Sequence, residues 1–334
     1  MARLMRAFFF KISKDITFRI TLIIGAGMAV FMTLLYLILQ NAIGEDVQML
    51  NGQGMLVSSF SPAQNFGIAI PINLISFVYL EFSQGAIRNK IIAGHSKFKI
   101  YTSLFLSGLV FAFALLIVYV GLCTGLGSIF GKFDPNGAAM IGTSTISKVS
   151  PEFLWKFVVL AFISYVTIVS FTVFIATVFR SMGPSIPVVL LVLMGAYLLA
   201  MIIGVLSSTM QMMAENQYTQ ELFQKAMEEA VQAELAKGIP MTEIVVNEEE
   251  IMASITKPTL AQLCEYDSTV KTFVDICNVL KVVDPLYGIS SVETKDGVAQ
   301  IDNFTFFSGI GSNLFYSAIF FAAGSQIFRK RDVK

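Results

Sequence analysis

Few residues in this chain are equipped for chemistry. The 334 residues include one histidine, His95, and three cysteines, Cys123, Cys264 and Cys277. A single imidazole excludes a zinc protease site built on paired histidines, and no Cys-x-x-Cys pair occurs. A phosphate loop needs Gly-x-x-x-x-Gly-Lys-Ser/Thr, and Gly127-Ser-Ile-Phe-Gly131-Lys132 has the wrong spacing. One acid–base pair can be drawn, Glu81 with His95, but packing or partner contact is the plainer use of both. No catalytic residue and no metal site is therefore assigned. Cys264 and Cys277 would close a small disulfide loop, yet an unbroken helix would hold them about 20 Å apart. Bridge and helix exclude one another, and two free thiols on a helix is the expectation. Asn303-Phe304-Thr305 matches a glycosylation acceptor, a pattern frequent by chance.

The elements that must carry these residues are set by hydropathy. The chain is 55% hydrophobic and 14% charged, against about 25% charged for a soluble domain. Six runs lack any charge: Ile20–Gly44, Val47–Leu80, Ile100–Gly131, Phe157–Phe179, Ser181–Ala214 and Asn303–Phe328. Each exceeds the roughly 20 residues that a helix needs to cross a bilayer. A soluble enzyme, a nucleic-acid binder and a secreted disulfide scaffold are excluded. The expected fold is an all-α polytopic membrane protein of six transmembrane helices. No Asp, Glu, Lys, Arg or His lies near the middle of a run, so a buried carboxylate relay for protons has no support. Pro71 falls inside the second run and should kink its helix.

Net charge is zero until it is divided by position. With six crossings, one side carries the termini and the links 81–99 and Arg180, with 14 basic and 3 acidic residues, or +11; the other side sums to −11. Lys- and Arg-rich short loops stay in the cytoplasm, so both termini are expected there. Residues 1–19 place Leu4, Met5, Phe8, Phe9, Ile12 and Ile16 on one helical face and Arg3, Arg6, Lys11 and Lys14 on the other. This reads as an interfacial helix on anionic lipid, or as a plain positive flank; both readings stay open. Four regions follow: 1–19 interfacial, 20–210 with spans one to five and the cytoplasmic link 81–100, 211–302 extracellular, and 303–334 with span six and a basic tail. The extracellular segment has 16 acidic and 6 basic residues. Helices are expected at 215–237, 247–255 and 258–282, with a hairpin at 291–301.

The link itself is the informative stretch: Glu81-Phe-Ser-Gln-Gly85-Ala-Ile87-Arg88-Asn89-Lys90-Ile-Ile-Ala-Gly94-His95-Ser96-Lys97-Phe-Lys-Ile-Tyr101. Residues 86–93 can form a short basic helix between two glycines, too short to stand without a membrane surface or a partner groove. Its residue order closely resembles the corresponding link in the membrane-spanning subunits of type-2 ABC exporters, the ABC-2 permease superfamily. The basic ending Phe328-Arg329-Lys330-Arg331-Asp332-Val333-Lys334 is similar too. The resemblance implies that the link is a coupling helix, with Gly85, Ile87, Arg88, Asn89, Lys90, Gly94, His95 and Ser96 meeting an ATP-hydrolysing subunit. It further implies no cofactor in this chain, ATP and Mg on the partner, and a second permease subunit, identical or a related paralogue. The implied setting is the bacterial cytoplasmic membrane and its lipids, with export of an amphipathic substrate, peptide or drug-like, antimicrobial peptides included. The 90-residue outer segment departs from the family's short connection. A membrane sensor or assembly scaffold with an extracellular ligand-binding domain is the alternative reading.

Overall fold

The structure, a computed structural model, describes residues 7, 10, 14, 16–43, 51–61, 66–133, 139–141, 144–146, 148–236, 251–252, 255, 258, 260–283, 293–295 and 298–330. Most of the expected interfacial helix, most of the helix expected at 247–255 and the tail beyond Lys330 lie outside these residues. The chain divides into two compact units, residues 1–200 with 281–334, and residues 201–280.

The first unit is a polytopic helical membrane protein. Its helices are α1 (Ile16–Ile43), α2 (Gly52–Phe60), α3 (Phe66–Ser83), α4 (Ala86–Ile92), α5 (Lys97–Gly131), α6 (Pro151–Phe179), the first part of α7 (Met182–Ala236) and, at the chain's end, α10 (Asn303–Lys330). Among the described residues, five helices are long and apolar enough to cross a membrane: α1, α5, α6, α7 and α10. α3 passes that test only together with α4, from which it is bent by 54°. α6 is the central post: 67% of its most apolar stretch is buried, against 6% for that of α7. Tyr165, Phe157 and Val169 of α6 are fully enclosed.

The uncharged run 47–80 does not form one helix. It divides into α2, nine residues long, and α3, because Asn51 caps a new helix and Ser61, the residue before Pro62, is extended. Pro71 lies inside α3. Hydroxyls and amides link several spans to one another. Thr167 of α6 donates to Asn313 Oδ1 of α10 at 2.8 Å, and Asn313 Nδ2 donates to the Gly309 carbonyl at 2.8 Å. Thr21 of α1 donates to Asn73 of α3. Such pairs fasten helices where lipid supplies no hydrophobic drive between them. Gly309 also allows α10 to approach α6: a Cβ there would meet Leu160 Cδ2 at 2.8 Å, whereas Gly27 and Gly311 face open space.

Short strands lie outside the spans, one pair of them expected and the others not. β1 (Ala139–Ile141) and β2 (Ser144–Ile146) form a hairpin, and β3 (Lys148–Val149) runs parallel to β5 (Val298–Gln300). β4 (Glu293–Lys295) pairs antiparallel with β5, the hairpin expected at 291–301. Lys156 fastens this end: its ammonium donates to the Ile301 carbonyl at 2.9 Å and to Asn303 Oδ1 at 3.1 Å, and pairs with Glu152 at 2.7 Å. The amide of the glycosylation motif is thus already an acceptor within the fold.

The second unit is helical. α7 continues without a break from the apolar stretch to Ala236, so the separate helix expected at 215–237 is the end of a longer one. Falling hydropathy ends a span, but only a breaker ends a helix, and no proline lies between Val188 and Ala236. The helix expected at 258–282 is instead two, α8 (Leu260–Tyr266) and α9 (Ser268–Val283). Asp267 separates them by accepting the Thr269 amide on its carboxylate at 2.7 Å, a local turn that competes with the helix. Leu263, Val270 and Ala214 form the buried centre, with Tyr218, Cys264 and Val274 around it. Cys264, Cys277 and Cys123 are free thiols. Burial, then the carboxylate of Asp275, pushes the Cys264 thiol above its usual range.

Candidate partner-docking link

The eight residues singled out by the sequence fall in and around α4, and two of them set its geometry. α3 ends at Ser83, and Gly85 then adopts the left-handed conformation, φ 66° and ψ 11°, as the N-cap of α4. At the other end Gly94 has φ 84°. There the Gly94 amide donates to the Ile91 carbonyl at 2.9 Å and the His95 amide to the Lys90 carbonyl at 3.2 Å. These two bonds are a Schellman motif, which satisfies carbonyls that a helix end leaves open. A Cβ on either glycine would meet nothing within 4 Å. Backbone conformation, not space, is what makes glycine fit at both positions.

An apolar contact and an ion pair help to seat α4 on the spans. Ile87 is 1% exposed and joins the buried cluster of Ile100, Tyr101 and Phe328. Lys90 Nζ stands 2.6 Å from Glu81 Oε2, and the Glu81 carboxylate is buried. Glu81 therefore has a structural task at the end of α3, independent of His95. Ser96 caps α5, its hydroxyl accepting from the Lys99 amide at 3.4 Å. What remains outward is a mixed surface: Arg88, Asn89, Ala93, Gly94 and Ser96 are exposed, and Ile92 is 74% exposed. His95 is half-buried.

Three other helix ends buttress the link. Tyr101 on α5 packs against Phe321 and Phe328 of α10, at ring distances of 5.4 and 5.9 Å, and occupies the space that a Cβ on Gly324 would need. Lys97 Nζ donates to the Arg329 carbonyl at 3.1 Å. Arg180, left-handed at φ 54° where α6 ends, holds its guanidinium 5.5 Å from the Phe82 ring centre. Residue order gave no hint of Arg180 or of the Glu81–Lys90 pair. The nine-residue separation of the pair lies outside the three- and four-residue spacing at which helical charges are usually matched. The assembled surface presents a cation, an amide and a sec-butyl side chain on a short helix, from Arg88, Asn89 and Ile92. No protein-family model matches the chain, and no curated protein or solved structure is similar to it.

Proposed function

We propose that the chain is the permease subunit of an ABC exporter of the type-2 class, and that α4 is its coupling helix. The observation that carries this reading is the build of α4. Seven residues are clamped between two left-handed glycines and tied to the spans by Ile87 and Lys90, with Arg88, Asn89 and Ile92 turned outward. A helix so short has no stability of its own, so an exposed one held this firmly is built to transmit force. In this reading α3 is the sixth span, both termini lie in the cytoplasm of a bacterial cell, and residues 211–302 face outward. Two permease subunits pair and seat two separate ATPases, which bind the ATP and Mg. Closure of the ATPases pushes α4, and α3 and α5 move with it because Glu81 and Ile87 join them. State-dependent contact at this interface is what can shift the permease between conformations. The exported compound is an amphipathic peptide or drug-like molecule, in keeping with apolar spans and an acidic outer segment. The test is to purify the tagged chain from its native membrane in mild detergent and assay vanadate-sensitive ATP hydrolysis. A phosphate-loop ATPase recovered in one-to-one ratio is the expected result. A chain that runs alone and supports no hydrolysis in lipid overturns the proposal.

A further inference from the structure

Four cations meet where α5 begins and α10 ends. Lys97 Nζ of α5 donates to the Arg329 carbonyl of α10 at 3.1 Å, a bond that pins the two helix ends together. Lys99, Arg329 and Lys330 beside it are exposed, and Lys97 is half-buried. In sequence the tail continues the charge, with Arg331 and Lys334 against Asp332. Among the described residues, the one carboxylate at this end of the spans is Glu81, and Lys90 holds it. The seam between the two helices is aromatic. Phe321 of α10 meets Phe98, Tyr101 and Phe105 of α5 at ring distances of 6.3, 5.4 and 5.2 Å. Tyr101 is the buried floor, with its Cζ 2.7 Å from where a Cβ on Gly324 would stand; Phe98 is exposed, and Phe105 and Phe321 are half-buried. Both helices carry bare apolar stripes onward into the membrane. Val110 and Ile117, both exposed, stand about three and five turns beyond Lys99 and so share its face. Ile319, exposed as well, stands about three turns before Lys330.

We propose that the foot of this seam binds an anionic phospholipid, its phosphate among Lys97, Lys99, Arg329 and Lys330 and one acyl chain along the rings of Phe98, Phe105 and Phe321. The transport reading supplies only the leaflet, the cytoplasmic one. Charge complementarity selects the occupant, because each Lys or Arg near a membrane surface favours anionic lipid by about fivefold. Orientation in the membrane needs cations on this side but is indifferent to their placement. Here they stand at the ends of two lipid-facing stripes, joined by a bond between the helices. Long cationic side chains so placed lay their stems on apolar surface and hold their charge at the level of the phosphates. Tyr101 and Phe328 belong to the cluster that encloses Ile87, so a lipid that bridges α5 and α10 also steadies the seat of α4.

The chain's one tryptophan, Trp155, lies at the start of α6. Trp155→Phe with Phe98→Trp moves the fluorophore to the seam and keeps an aromatic ring there. This variant is reconstituted in phosphatidylcholine vesicles, to which brominated phosphatidylglycerol or brominated phosphatidylcholine is added in rising mole fraction. Half-maximal quenching should need at least about fivefold less phosphatidylglycerol than phosphatidylcholine, and the preference should shrink at high salt. Lys99→Gln with Arg329→Gln and Lys330→Gln should abolish it. These changes keep the Lys97 bond, which uses the Arg329 backbone, and helical circular dichroism checks that the fold is intact. Lys14→Gln with Arg19→Gln and Arg88→Gln removes three basic residues elsewhere and should leave the preference in place. Equal quenching by the two lipids overturns the site, as does equal loss in both triple variants, which is diffuse attraction. A preference that survives the seam variant overturns it too, and assigns the cations to protein docking if affinity for the ATPase falls instead. No ATPase or export enters the quenching measurement. A chain that prefers phosphatidylglycerol at the seam and supports no hydrolysis therefore upholds the lipid site and overturns the transport reading.

Discussion

Two short helices flank α3, and they are built in opposite ways. α4, seven residues, carries Arg88 and Lys90, exposes Ile92 and ends in left-handed glycines. α2, nine residues, carries no charge, is almost wholly buried and is capped by a side chain. Neither is long enough to persist alone in water. α4 is held by the Lys90–Glu81 ion pair and by Ile87 and Ile91 against the core, and turns Arg88, Asn89 and Ile92 outward. α2 is held by close backbone contact with α5 and by Met55 and Val57, each buried in an apolar cluster. The contrast separates a helix that leaves much of its surface open from one that is packed on nearly every side.

The sharpest way to break the comparison is to reverse a charge at α4. Arg88→Glu should weaken association with the ATPase by about 30-fold or more, the equivalent of about 2 kcal/mol, since a like or unmatched charge at a protein interface costs several kcal/mol. Thermal unfolding of the isolated permease should not change, because Arg88 is exposed. Titration of immobilised permease with the purified ATPase reads the first quantity. Unaltered affinity would show that α4 is not the docking helix.

A single substitution made at three glycines sharpens the comparison further. Gly127→Ala should destabilise the chain by about 1–3 kcal/mol, the usual cost of overpacking, because the new methyl meets Met55. Gly94→Ala should cost about 1–2 kcal/mol for a different reason, the left-handed backbone at φ 84°, and Gly94→Asn should cost less. Gly121 has neither neighbour nor positive φ, so Gly121→Ala should be neutral or slightly stabilising. Unfolding midpoints in one detergent rank the three. Equal losses at all three positions would remove the distinction between a crowded seat and a conformational hinge.

The two helices were not equally legible. α4 announces itself in residue order, because glycines at 85 and 94 bracket a basic stretch and each glycine later proves left-handed. α2 is hidden inside a run of 34 uncharged residues, where hydropathy registers length and nothing else. Its boundaries were written in Asn51 and in Ser61 before Pro62, capping and breaking signals that a hydropathy reading passes over. The same blindness made α7 look like two helices, since charge begins at Glu215 while the backbone continues to Ala236. It joined α8 to α9 as well, because the Asp267 turn depends on a carboxylate reaching an amide two residues on. The Glu81–Lys90 pair and the Arg180 buttress were out of reach, since both form only after α3 bends into α4 and helix ends converge. The hairpin β4–β5 was within reach, its turn marked by Lys295-Asp296-Gly297.

The smallest effect compares the caps themselves. Asn51 Oδ1 receives the Gly54 amide at 2.6 Å in a buried setting, whereas Ser96 Oγ receives the Lys99 amide at 3.4 Å at an exposed one. Removing a cap generally costs about 0.5–2 kcal/mol, and a buried amide left without a partner cannot turn to water. Asn51→Ala should therefore fall near the upper end of that range and Ser96→Ala near the lower. Denaturation in matched detergent gives the difference, and proteolysis or hydrogen exchange at 51–61 shows where the loss is felt. Exchange should quicken within α2 for Asn51→Ala and stay unchanged there for Ser96→Ala. If both variants lose the same stability, α2 is no more dependent on its own cap than a span is.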